Sequence, residues 1–452
     1  MATLNPSATT DGTWLSRWEP ENNAFWGAGA SGLAWRTLTI TTLNLTMAFI
    51  VWFLVSALVV RLPQIGFKFT PQQLFWLAAM PGLAGGTLRL VHMFLTPMFG
   101  TRLVVSLSTL SLLIPLVGWF YAVQDPGTPY WMLMLLAFLA GLGGGNFSSF
   151  MPSTSLFFPK RLQGTALAIQ AGIGNFGVSI VQFVTPWIIG FALMGGAAFM
   201  GDSQTLTKAG VQSQVYLQNA AAVMIPFTFV FGVSAWLMLK SVPVKANFAQ
   251  QFDIFRSGHT WSMTSLYMMT FGAFSGLAAT FPLLIKQIYG GFEGAPDPLA
   301  WAFYGPLVGS AARVVAGPLS DKLGGARVTH WAGLGMLGAT LWVTTLTSPT
   351  GLDSFPMFVA GMLTLFFFAG VGNASTFKQM PMLFEPRQAG GVIGFTAAIA
   401  AYGPFLFGML FAASFGTFKS ATPVFYGLAA FFAFNVALNW WMYARRGAAN
   451  PC

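Results

Sequence analysis

Apolar residues in this chain run in long unbroken stretches instead of alternating with polar ones. Twelve such runs follow one another, at about 37–60, 72–95, 102–123, 130–156, 163–192, 215–239, 262–286, 299–319, 327–347, 354–380, 389–414 and 420–444. A helix needs about 20 apolar residues to cross roughly 30 Å of hydrocarbon, so each run predicts one membrane crossing. A transmembrane barrel would read as short alternating segments, and strands are not expected. Gly and Pro recur inside the runs, as membrane helices tolerate. The fold class is therefore an all-α membrane protein of about twelve helices.

Composition agrees with this pattern. Of 452 residues, 55% are hydrophobic and 7% charged, and the mean hydropathy is +0.66. No water-soluble chain of this size could keep that balance exposed, so the bilayer is its solvent. The formal net charge of +10 follows topology. Arg17, Arg36, Arg102, Lys160, Arg161, Lys240, Arg327, Arg445 and others fall on one side of the threaded chain, and only Arg61, Lys68, Lys208, Lys286 and Lys419 on the other. The positive-inside bias then puts both termini in the cytoplasm, and no nucleic-acid partner is needed to explain the basic balance. The polar stretch 1–35 is not a cleavable signal. Trp14, Trp18 and Trp26 could lay it along the membrane interface, although a disordered tail fits equally well. The single Cys452 leaves no internal disulfide, and no His/Cys cluster or phosphate loop is present. No catalytic residue, metal or cofactor is expected.

The chain repeats itself. Gly145, Asn146, Phe147, Ser148, Ser149, Phe150 reappear as Gly372, Asn373, Ala374, Ser375, Thr376, Phe377, and Gly164 as Gly391. At a slightly shorter shift, Gly85 and Arg89 reappear as Gly309 and Arg313. Two six-helix halves (36–240 and 261–445), a tail at 1–35, a linker at 241–260 and a short tail at 446–452 imply a pseudo-two-fold axis along the membrane normal. That is the plan of the major facilitator superfamily, with substrate bound near mid-membrane between the halves. The stretch from Gly317 to Arg327 resembles that superfamily's cytoplasmic loop motif. There Asp321 can accept from the free amides of the following helix and latch the halves; the first-half copy lacks the acid, which implies an asymmetric latch.

Every Asp and Glu falls in a loop or tail, and the only Lys or Arg well inside the predicted helices are Arg89 and Arg313. A charge at mid-bilayer costs about 3 kcal/mol or more, faces the protein interior and marks a substrate path, and a guanidinium does not lose its proton. Two facing cations with no carboxylate require an anion from outside. Arginine's planar fork favours a flat oxyanion, and aromatic walls would exclude water around it. Phe147, beside the run Gly143–Gly145, Tyr267 with Phe271 one turn away, and Phe49 are the candidate walls.

These stretches resemble the nitrate/nitrite porter family of the major facilitator superfamily, most closely its bacterial members. The carriers are 143–160 (GGGNFSSFMPSTSLFFPK), 171–186 (AGIGNFGVSIVQFVTP), 370–377 (GVGNASTF) and the paired arginines. The resemblance implies that Arg89 and Arg313 clamp the anion, Phe147 and Phe271 sandwich it, and Asn175 and Tyr267 hydrogen-bond it. It also implies two glycine-rich helices that slide during rocking. They are matched by Gly164, Gly172, Gly174 and Gly177 and, less fully, by Gly391, Gly394 and Gly403. The implied partners are nitrate and nitrite, the implied place a bacterial cytoplasmic membrane, and the implied state a monomer. If the anion alone neutralises the two cations, the logic is exchange. His92, one turn beyond Arg89, is the one group that can titrate near the path, so proton-coupled symport stays open at this point, as does another small anion.

Overall fold

The computed structural model describes residues 7, 9, 12–193, 201–208, 211–243, 253–448, 450 and 452. Residues 244–252 of the linker, including Lys245, lie outside the described residues. Among those described, ten helices are long and apolar enough to cross a membrane. One of them, Pro71–Ala122, is two crossings. Gly100, at φ 78°, breaks it, in a backbone region that side chains with a Cβ avoid. Gly325–Thr344 completes twelve.

In chain order the crossings are Ser31–Leu58; Pro71–Leu110 and Leu113–Ala122, which hold the second and third; Tyr130–Ala140 with Leu142–Ser155; Lys160–Ile188; and Asn219–Ala222 with Met224–Met238. The second half repeats the plan with Gly258–Tyr289, Pro298–Leu323, Gly325–Thr344, Phe355–Leu383, Pro386–Ala400 with Gly403–Thr417, and Thr422–Ala444. Local chemistry sets several starts. Thr70 and Gln73 form a capping box ahead of Pro71, and Asp297 accepts from the Leu299 N–H ahead of the eighth crossing.

Three features depart from the sequence-based expectation. A two-stranded antiparallel hairpin, Gln204–Lys208 with Val211–Val215, stands between the fifth and sixth crossings. Its strands are short and lie outside the apolar runs, so a search for spanning segments passes over them. From residue 12 on, the tail before the first crossing is not disordered; it docks on the protein. The Leu15 N–H donates to the Ser241 carbonyl at 2.8 Å and the Ser241 N–H to the Thr13 carbonyl at 2.9 Å, Trp18 donates to the Leu156 carbonyl at 3.1 Å, Trp18 packs on Phe157 and Trp26 on Phe158, and Glu21 caps the fifth crossing by accepting from the Lys160 N–H at 2.8 Å. Finally, Asp321 does not latch the halves. It pairs with Lys378 of the tenth crossing, in its own half, at 2.6 Å. Of the amides at the start of the following helix, that of Ala326 donates to the Cys452 carbonyl.

The halves meet most firmly on the face opposite the termini. There Arg61 pairs with Asp297 at 2.7 Å, Lys286 donates to the Val60 carbonyl at 2.8 Å, and Gln182 donates to the Ala278 carbonyl at 2.8 Å. Toward the termini the halves also touch through apolar residues, with Leu90 packed against Ile254, Val392 and Phe395.

Candidate functional site

Small residues bring the site's helices together. A methyl group added to Gly144 would press on Gly85 Cα at 2.7 Å and on the Trp52 ring, so the second and fourth crossings touch backbone to backbone at this level. The second half repeats the device where Gly370 abuts the Gly309 backbone. Each close approach lies one turn from an arginine, since Arg89 and Arg313 follow Gly85 and Gly309 by four residues on the same helix face.

Arg89 is fully buried. Its Nε donates to the Gly144 carbonyl at 2.8 Å, and its Nη1 reaches across to the other half and donates to the Ala397 carbonyl at 2.8 Å. Three rings surround its Cζ, with centroids at 4.6 Å (Phe147), 5.2 Å (Phe271) and 5.2 Å (Trp52). Nη2 has no protein partner. Arg313 is also buried, its Cζ 5.3 Å from the Phe377 ring and 6.0 Å from Phe271, with Nη1 unpartnered. Among the described residues no carboxylate pairs with either guanidinium.

A π-turn over Met268–Gly272 interrupts the seventh crossing and sets where Phe271 points. Its ring faces Phe147 at 6.5 Å between centroids and 28° between planes. Two ring faces that far apart lie close to twice the van der Waals contact distance, the gap a flat group of atoms fills. Tyr267 stacks on Phe271 at 5.3 Å between centroids and 6° between planes. Asn175 is fully buried with both ends of its amide unpartnered.

Thus Arg89, Arg313, Phe147, Phe271 and Tyr267, named from sequence, form one cluster. Phe49 stands behind Phe147 at 6.3 Å, edge on. Sequence reasoning missed Trp52 and Phe377 as walls and the Gly144 and Ala397 carbonyls as partners of Arg89. Phe377 lay in the repeat, but the carbonyls left no trace in side-chain types. His92 is held in packing. Its Nδ1 is 2.9 Å from Ser149 Oγ, and a methyl on Gly145 would meet its ring.

The two glycine-rich helices differ. Gly177 lies against the Thr46 carbonyl and Phe49 Cβ, Gly174 against Leu45 and Gly172 against Val314 of the other half. Gly164 is in the same helix, Lys160–Ile188. In the second glycine-rich helix a methyl at Gly391 or Gly394 would make only ordinary contacts, at 3.6 Å to Ile254 and 3.7 Å to Met93, whereas Gly403 lies hard against the Gly272 carbonyl.

Twelve helices in two halves, meeting at a pair of buried cations, define a polytopic membrane carrier. A family model described as Major Facilitator Superfamily matches residues 38–352. A Thermus thermophilus protein named "Probable nitrate/nitrite antiporter NarK2" is 64% identical over 442 residues, 98% of this chain and 99% of that one. The "Nitrate/nitrite transporter NarU" of Salmonella typhimurium is 37% identical, covering 96% of both chains. Among solved structures, the xylose transporter XylE from E. coli in an inward open conformation superposes with TM-score 0.66 at 13% identity, over 90% of this chain and 96% of that one. A bacterial homolog of the human lysosomal transporter Spinster gives the same figures; both likenesses concern the fold. The chain belongs to the major facilitator superfamily and, within it, to the nitrate/nitrite porter family.

Proposed function

We propose that this protein exchanges nitrate for nitrite across the bacterial cytoplasmic membrane, binding either anion between Arg89 and Arg313. The observation that carries the reading is electrostatic. Two buried guanidinium groups, one from each half, keep N–H donors without partners and have no carboxylate beside them. A planar oxyanion seated between the Phe147 and Phe271 rings receives those donors and supplies the missing charge. Asn175 and Tyr267 add donors to the same anion. The names of the relatives support nitrate and nitrite as its identity.

Exchange follows from the same balance. With the anion bound, the halves lose their mutual repulsion and can rock. Without it, two like charges in a low-dielectric setting resist closing, so return requires a second anion. The relative named an antiporter agrees. His92, engaged with Ser149, supports a packing role over proton coupling. The positive-inside bias puts both termini in the cytoplasm.

Purified protein in vesicles loaded with nitrite, or with nothing, tests this. Labelled nitrate should enter only nitrite-loaded vesicles and at a rate indifferent to a proton gradient; uptake into empty vesicles driven by protons would overturn exchange.

A further inference from the structure

Two described amides are buried with both their oxygen and their nitrogen unpartnered, Asn175 and Asn373. A buried polar group left unpaired is costly and asks for an explanation, and a group with both ends free asks for it twice. Asn175 stands in the first half and is assigned to the anion by the reading above. Asn373, in the tenth crossing of the second half, has no assigned role.

Its position follows from its neighbours on the helix. Gly370, three residues before, and Phe377, four after, share its face. Gly370 abuts the Gly309 backbone one turn from Arg313. Phe377 lies 5.3 Å from the Arg313 Cζ and 4.9 Å from the Tyr267 ring. The opposite face of the same helix is occupied elsewhere, with Ser375 bonded to Thr329 at 2.7 Å, while Thr376, three residues after Asn373 and on its side, lies beside Thr270 of the seventh crossing. Asn373 therefore projects into the angle between the seventh and eighth crossings, at the level of Arg313 and Phe271.

We propose that Asn373 is a specificity-determining residue of the anion site. Its Nδ2 donates to the third oxygen of a trigonal oxyanion while Arg89 and Arg313 hold the other two. The inference rests on the nitrate/nitrite reading. Nitrate has three oxygens around a flat centre and nitrite has two, so a donor aimed at the third position favours nitrate. A site built around a polar group discriminates more sharply than one relying on shape.

Apparent KM for nitrate and for nitrite, measured by exchange in vesicles, tests this on wild type, Asn373→Leu and Asn373→Thr. Leucine keeps the volume and removes the donor; threonine keeps a donor. We expect N373L to raise the nitrate KM about tenfold and the nitrite KM by no more than about threefold, the difference expected for one hydrogen bond to a charged ligand. N373T should restore most of the nitrate preference. A melting temperature for each variant separates loss of fold from loss of preference, and N373T alone carries the comparison if N373L does not fold. A nitrate-to-nitrite KM ratio unchanged in both variants, or lost equally in N373T and N373L, overturns the assignment of Asn373. Wild-type vesicles that exchange neither anion would instead overturn the underlying transport reading.

Discussion

Arg89 and Arg313 are symmetry mates in sequence and unequal in structure. Arg89 is tied by two carbonyls, one in each half, and enclosed by three rings. Arg313 has two rings within reach and an unpartnered Nη1. Duplication supplies two cations; the surroundings make one an anchor that joins the halves and leave the other freer to move with its ligand. The hydrogen bond from Arg89 to Ala397 is the sharpest expression of this, since rocking the halves apart on that side must break it.

Lysine substitution should break the comparison with the largest effect. Arg89→Lys cannot serve both carbonyls and an anion together, so it should cut exchange by at least about 100-fold, while Arg313→Lys keeps a charge near the anion and should cost about tenfold in nitrate KM. Initial exchange rates at several nitrate concentrations separate the two, and equal losses would remove the anchor from the account.

The glycine helices extend the contrast. Gly177→Ala drives a methyl into the Thr46 carbonyl at 2.5 Å, backbone against backbone, and should destabilise the protein by about 2 kcal/mol, read as a lowered melting temperature. Gly394→Ala meets only Met93 at 3.7 Å and should leave stability within about 0.5 kcal/mol.

Smaller still is the effect expected on the face opposite the termini, where Asp297→Asn removes the partner of the buried Arg61. Labelling of a cysteine placed at position 64 should rise by about fivefold as that face opens more often, by the order of 1 kcal/mol such a pair contributes when partly buried. The smallest change is expected for His92→Gln, which keeps a hydrogen bond to Ser149. Exchange should stay within about threefold of wild type and remain indifferent to pH between 6 and 8.

Much of this was legible in the sequence because the bilayer imposes steep costs. Twelve runs long enough to span read directly as helices, and Arg89 and Arg313 stand out because a charge at mid-membrane needs a reason. Phe147, Phe271 and Tyr267 were reached through their neighbours and through family resemblance. What stayed hidden depends on tertiary approach. The Ala397 carbonyl becomes a partner of Arg89 only once the halves pack. Asp321 finds Lys378 because the tenth crossing ends beside it. Trp18 and Trp26 pack against Phe157 and Phe158, a docking that no pattern in residues 12–30 announces.

The most direct test of the central claim, that an anion is the countercharge for the two guanidinium groups, is the melting temperature of detergent-purified protein with added nitrate, nitrite or chloride. A ligand that binds the folded state raises it in proportion to the logarithm of concentration over affinity. The account predicts a rise with nitrate and nitrite, little with chloride, and none in Arg313→Gln. A nitrate-dependent rise of equal size in Arg313→Gln would contradict it.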